Sequence, residues 1–240
     1  MKALTFFSLF TAPILLYPTL TSAQSAVAAN PAVVSVQELT LSPKAVKTFK
    51  KGTTLLLKGD AQASLPYLRA VTSLAPNYYG SYHNIGLAES HLGQLDDAAA
   101  NFQKSIDLTN GRFAPSLFGL AMILYRRSEF VQAESLIDRG LVAAPGSAVG
   151  KYCLGLVQFS AGQLAQSQRS ALDALRLDPT LAESHVLLAH IDERHNDPYG
   201  VLAEVQLYLK LFPHGDLQED ALALRDRAQH HLARLSVSLN

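Results

Sequence analysis

Residues 79–112 read YGSYHNIGLAESHLGQLDDAAANFQKSIDLTNGR. Two helical patterns lie in this stretch, parted at Gly93 and closed at Asn110. Glycine and asparagine tolerate the left-handed backbone that ends a helix. The first pattern carries small Gly86 beside Ile85; the second carries small Ala98 and, one turn on, bulky Phe102. Small residues opposite one another let two helices approach closely, so the stretch predicts a helical hairpin.

The same punctuation recurs along the chain. Breaks fall at Gly59, Gly93, Ser128, Gly162 and Asn196, spaced 34, 35, 34 and 34 residues apart. A second set closes the units at Pro76, Asn110, Pro145, Pro179 and Pro213, mostly prolines that stop a helix running on. The small slot of the first helix holds Gly52, Gly86, Ala121, Gly155 and Ala189. The second helix opens its packing face with Ser64, Ala98, Ala133, Ser167 and Val201, and its large slot holds Leu68, Phe102, Ile137, Ala171 and Val205.

Two helices per unit at a period near 34 resemble the tetratricopeptide repeat. The expected fold is therefore all-α, with five helix pairs spanning 42–215, in units of about 45–78, 79–113, 114–147, 148–181 and 182–215. The resemblance implies a right-handed superhelical solenoid. Four positions depart from the family pattern: Lys51 where an apolar residue is usual, Ala171 where a bulky one is, Tyr208 where a small one is, and Pro198 early in a helix. Residues 216–235 place Leu217, Ala221, Leu224, Ala228 and Leu232 at helical spacing, as a capping helix requires.

The N-terminus reads differently. Lys2, the apolar run at 3–17 and the small residues before Gln24 have the layout of a secretory signal peptide, with cleavage after Ala23 or after Ala26. The run is shorter than the ~20 residues that span a bilayer, which favours cleavage over a retained anchor. No cysteine follows it for lipid attachment. Residues 24–41 have no helical period and read as a flexible leader, and Ser42-Pro43 reads as a helix start. The expected location is periplasmic or extracellular, with no stable membrane span after cleavage.

Composition narrows the function classes. The 240 residues carry 20 Lys+Arg against 20 Asp+Glu, a formal net charge of zero. That balance gives no electrostatic case for nucleic acid. Cys153, the only cysteine, excludes an intrachain disulfide and reads as a buried, inert thiol. His185, His190 and His195 are five apart and do not share a helix face. Asp96-Asp97 open a helix, where its dipole favours negative charge. No phosphate loop, nucleophile elbow or Cys/His metal spacing is present. No catalysis, cofactor or metal is expected. Lys47, Lys50, Lys51 and Lys58 read as a solvated basic face.

The resemblance also implies that the first helices line a concave groove. Its slots, carried onto this chain, are Phe49 and Thr53; His83, Leu87 and Ser90; Phe118, Met122 and Tyr125; Tyr152, Leu156 and Phe159; and Val186, His190 and Glu193. Some family members clamp a C-terminal carboxylate with Lys, Arg and Asn in such slots. Only Asn84 fits that pattern here, which argues against the mode. The expected partner is a protein or peptide segment held by aromatic anchors. Phe118, Tyr125, Tyr152 and Phe159 either form an accessible patch or pack between helices. The leader at 31–41 is a further candidate occupant of the groove. Self-association of the solenoid and an accessory role in an enzyme complex are the alternative functions.

Overall fold

The computed structural model describes residues 41–238. The expected signal peptide at 1–23 and the leader as far as Thr40 lie outside them. Eleven α-helices and no strand are present among the described residues. Five antiparallel pairs come first: α1 (Pro43–Leu57) with α2 (Ala61–Leu74), α3 (Tyr79–His91) with α4 (Leu95–Leu108), and α5 (Ala114–Arg126) with α6 (Phe130–Ala143). Then come α7 (Ala148–Ser160) with α8 (Leu164–Leu177), and α9 (Glu183–Arg194) with α10 (Pro198–Leu211). A final helix, α11 (Gln218–Ser238), packs on α10 and α9. It runs past the 216–235 read from the sequence.

Local chemistry explains the helix ends. The Ser42 side chain accepts from the Ala45 N–H at 3.3 Å, with Pro43 opening α1. Asp60 caps α2 through the Ala63 N–H at 3.0 Å. The five breaks inside the pairs all adopt left-handed backbone, including the non-glycine residues Ser128 (φ 62) and Asn196 (φ 57). A serine in that conformation is strained where glycine is not, so the period constrains this turn more tightly than residue preference does. Pro198 takes the first position of α10 behind an Asp197 cap, where its missing N–H costs nothing.

The first two pairs close on a small residue of their first helix. A Cβ on Gly52 would lie 2.9 Å from Leu68, and one on Gly86 3.0 Å from Phe102. The fourth pair cannot do this because Ala171 is small. Instead Leu187 of the next pair fills the space, 2.9 Å from a Cβ on Gly155. Tyr208, the other size departure, is buried, and its hydroxyl accepts the Leu217 N–H at 3.0 Å. It pins the start of α11 to α10. Lys51 stays exposed with its Nζ 4.3 Å above the Tyr67 ring, a placement that keeps the ammonium solvated.

Curvature follows from which helices touch. Each first helix contacts the first helix of the next pair, α1 to α3, α3 to α5, α5 to α7 and α7 to α9, and α9 meets α11 likewise. Among the described residues, no second helix of a pair makes a comparable contact with the second helix of the next. The first helices therefore lie on the inner, shorter arc, and their outward-turned slots line the concave side.

Candidate functional site

The concave side is built by one residue row after another along the first helices. Near their N-terminal ends the row is packed shut. Tyr152 and Val186 are fully buried, and Phe118 is 6% exposed. Phe118 is held between two glycines: a Cβ on Gly140 of α6 would lie 2.4 Å from its ring, and one on Gly150 of α7 2.5 Å from it. These are knobs joining successive pairs, and they offer no ring face to a ligand. Leu87 and Leu156, one turn on, are equally buried. Of the two readings for the aromatic stripe, packing between helices holds for Phe118 and Tyr152.

Near the C-terminal ends of the same helices the row is open. Ser90, Tyr125, Phe159 and Glu193 recur at spacings of 35, 34 and 34 residues, each partly exposed. Met122 is partly exposed as well, and so, in the N-terminal row of the first pair, is Phe49. The open row is also laced together. Arg126 Nη1 donates to the Ser90 carbonyl at 3.3 Å, and Ser160 Oγ donates to the Tyr125 hydroxyl at 3.2 Å. The Arg194 guanidinium sits 5.7 Å from the Phe159 ring centroid. An aromatic strip edged by guanidinium groups therefore runs across α5, α7 and α9. Such a surface can hold apolar side chains by ring contact while the cations take main-chain carbonyls or carboxylates.

His83 and His190 stand in slots but are not free. His83 Nδ1 lies 3.0 Å from Ser116 Oγ, which donates to Ser105 Oγ at 2.8 Å. Burial pushes its pKa down to about 4, so the ring is neutral near pH 7. His190 Nε2 lies 2.7 Å from Asp220 Oδ2 of α11. Thr53 accepts from Asn84 Nδ2 at 2.9 Å, which commits that asparagine to the array.

The spaced histidines do not converge. His185 Nδ1 meets Glu204 at 2.6 Å, His190 meets Asp220, and His195 is exposed. Among the described residues, no group of three or more His, Cys, Asp or Glu could hold a metal ion. The Cys153 thiol is buried and its pKa pushed up to about 12, so thiolate chemistry is suppressed. No described helix is long and apolar enough to cross a membrane.

Reading slots alone missed one feature. Tyr78, Tyr79 and Phe113, at the entrances to α3 and α5, form an aromatic chain with Phe49 and His83. Centroid separations are 5.0 Å for Phe49–Tyr78, 5.8 Å for Tyr78–Tyr79, 4.7 Å for Tyr79–Phe113 and 5.1 Å for Phe113–His83. The paired tyrosines just after Pro76-Asn77 were the available signal.

Comparisons with known proteins agree with this geometry. The tetratricopeptide-repeat family model matches residues 79–111. A curated relative, the inactive TPR repeat-containing thioredoxin TTL3 of Arabidopsis thaliana, is 29% identical over 82 residues. That match covers 34% of this chain and spans only 12% of the relative's length. Among solved structures, the thermophilic TPR protein TTC0263 of Thermus thermophilus superposes with a TM-score of 0.67 at 22% identity, covering 79% of this chain and 99% of that one. The TPR protein YrrB superposes with a TM-score of 0.51 at 12% identity, covering 83% and 97%.

Proposed function

We propose that the chain, whose residues 79–111 match the tetratricopeptide-repeat family model and whose fold is similar to solved tetratricopeptide-repeat structures, is a non-catalytic scaffold that binds an extended or helical protein segment on its concave side. The observation that carries this reading is the open strip of Met122, Tyr125 and Phe159 edged by Arg126 and Arg194. Rigid aromatic surface beside cations is the composition of binding hot spots. Among the structural neighbours, YrrB is described as having an unusual peptide-binding site, and the analogy supports peptide recognition here. The anchors differ from the full slot set. Tyr125 and Phe159 carry the site, with Met122 one turn before Tyr125 on α5, whereas Phe118, Tyr152, Leu87, Leu156 and Val186 hold the array together.

A displayed random-peptide library, selected on residues 24–240, tests the reading. Selected peptides should bind with apolar residues at regular spacing and lose about tenfold affinity against Tyr125→Asp with Phe159→Asp. Circular dichroism must show that this double variant keeps its helix content. Equal binding by both proteins would move the site off the concave side.

The same reading places the protein outside the cytoplasm, in the periplasm or the medium, on the strength of the N-terminal segment. Mass spectrometry of the protein purified from its source cell decides it. A chain beginning at Gln24 or Val27 in the exported fraction supports export, and an intact Met1 in the cytoplasmic fraction overturns it.

Self-association is the second reading. It draws on the convex residues Val131 and Val142, 80% and 83% exposed. Light scattering over a concentration series would show a rising mass, and a constant monomer would remove this reading.

A further inference from the structure

Lysines in the first pair stand where the later pairs are packed. Counting from each hairpin break, Lys47 has the register of Ser81, Ser116, Gly150 and Ser184. Lys51 has that of Ile85, Leu120, Leu154 and Leu188. In the later pairs this row receives the second helix of the pair before. Ser116 Oγ donates to Ser105 Oγ of α4 at 2.8 Å, and a Cβ on Gly150 would lie 2.9 Å from Leu141 of α6. All four equivalents of Lys47 are buried, and so are Ile85, Leu154 and Leu188 at the Lys51 position. Lys44, Lys47 and Lys51 are exposed.

The row is also uncompensated. Lys44, Lys47 and Lys51 fall on one face of α1, and Lys58 at its C-cap continues that face. From Lys44 to Lys58 the row runs about 21 Å at ~1.5 Å per residue. None of the four makes an ion pair with a described residue. Lys51 leans over the Tyr67 ring, a contact that leaves its charge in place. Neither α1 nor α2 contains an acid, and Asp60 between them caps α2. The one acid of α3, Glu89, pairs with Arg69 at 3.1 Å. Residues 1–40 carry a single acid, Glu38, against Lys2, so they cannot neutralise the row wherever they lie. Mixed charges would keep such a face in water. A row of one sign, in a chain whose total is zero, also projects a field that attracts the opposite sign.

We propose that this face of α1 docks an acidic helix of a partner protein, with its carboxylates on Lys44, Lys47 and Lys51. Shape and charge each select one property. The equivalent face takes a helix in the later pairs, so a helix fits it. The lysines select acids at matching helical spacing. An apolar repeat surface stacked there would instead bury unpaired ammonium groups. The row holds no aromatic side chain of its own on which a nucleic-acid base could stack. The site lies at the far end of the array from α11 and does not depend on the concave side binding anything.

The test uses a fluorescein-labelled helical peptide of alanine and glutamate, its glutamates striped along one face, titrated against the purified protein in fluorescence anisotropy. Binding should weaken about tenfold with Lys47→Glu plus Lys51→Glu and be retained with Lys47→Arg plus Lys51→Arg. A peptide of the same composition with glutamates spread round the helix should bind about tenfold more weakly than the striped one. Tyr125→Asp with Phe159→Asp should leave binding unchanged. Both lysines are exposed, so circular dichroism should show the same helix content in every lysine variant. Binding within about twofold of the parent in the double glutamate variant would overturn the proposal. Equal binding of the striped and spread peptides would reduce the effect to general attraction between opposite charges, and so overturn it. Absence of binding would do the same, as would tighter binding of a single-stranded oligonucleotide or of phosphatidylserine vesicles with the same lysine dependence.

Discussion

The two ends of the same first helices behave oppositely. At the N-terminal end, Phe118, Tyr152 and Val186 are buried between pairs. Two turns further on, Tyr125, Phe159 and Glu193 are open. Both rows repeat at the same period and both are rich in aromatic residues. The difference lies in what faces them. Gly140 and Gly150 leave a socket for the Phe118 ring. Tyr125 and Phe159 instead have full side chains for neighbours, Phe130 and Ser160 beside the first, His190 and Arg194 beside the second. Glycines on adjacent helices admit the Phe118 ring into the core, and Tyr125 and Phe159 have no such socket.

The rows separate most clearly when each is given a charge. Phe118→Asp should cost roughly 4 kcal/mol or more, by cavity formation plus a buried carboxylate. Tyr125→Asp should cost no more than about 1 kcal/mol. Urea denaturation of the two variants measures the gap, and equal midpoints would mean the rows are not distinct.

The next effect is a pH dependence within the buried row. The His83 pKa lies near 4 in the fold, against 6.5 for an ordinary imidazole. Below pH 6.5 the unfolded chain takes up a proton that the native ring refuses. Stability is therefore lost as pH falls from 6.5 towards 4, by up to about 3 kcal/mol. His83→Gln should flatten that slope in melts recorded across the window. An unchanged slope would place the titration elsewhere.

Smaller effects belong to the open side. Glu193→Gln removes the carboxylate held by Arg227 on a half-exposed surface and should cost under about 1 kcal/mol. Its measurable signature is at α11, whose amides should exchange hydrogen faster while those of α3 do not. Asp192 behaves in the opposite sense to His83. Burial, then Glu204 and Asp197, raise its pKa to about 6. Its favourable protonated form is lost as pH rises through about 6. Asp192→Asn should therefore raise the melting temperature slightly near pH ~7.5 and change little near pH ~4.

Much of this fold was legible because repeats amplify weak signals. One glycine before a helix is poor grounds for a turn, but five breaks at a constant period marked every hairpin, and all five took left-handed backbone. Serine at 128 was readable as a break only from its register. The site was less legible. Slot position alone put Phe118 and Phe159 in one class, because both lie on the same helix face in their units. The socket that separates them is made by Gly140 and Gly150, which lie in neighbouring helices and outside the groove slots of the first helices. The Glu193–Arg227 and His190–Asp220 contacts were likewise hidden, since each joins α9 to α11 past the whole of α10.

Residue order was enough for whatever is local and periodic: the number of helix pairs, the helix start at Ser42-Pro43, the breaks, the small-on-large contacts of the first two pairs, and the buried thiol. Those follow from backbone preference and side-chain size, which a period near 34 residues makes unambiguous. Which aromatic rings are core and which are surface emerged only from the assembled array. So did the histidines that are neutral or tied to a carboxylate. Those outcomes depend on the angle and offset between successive pairs, set by packing across units, where Leu187 fills the space that Ala171 leaves.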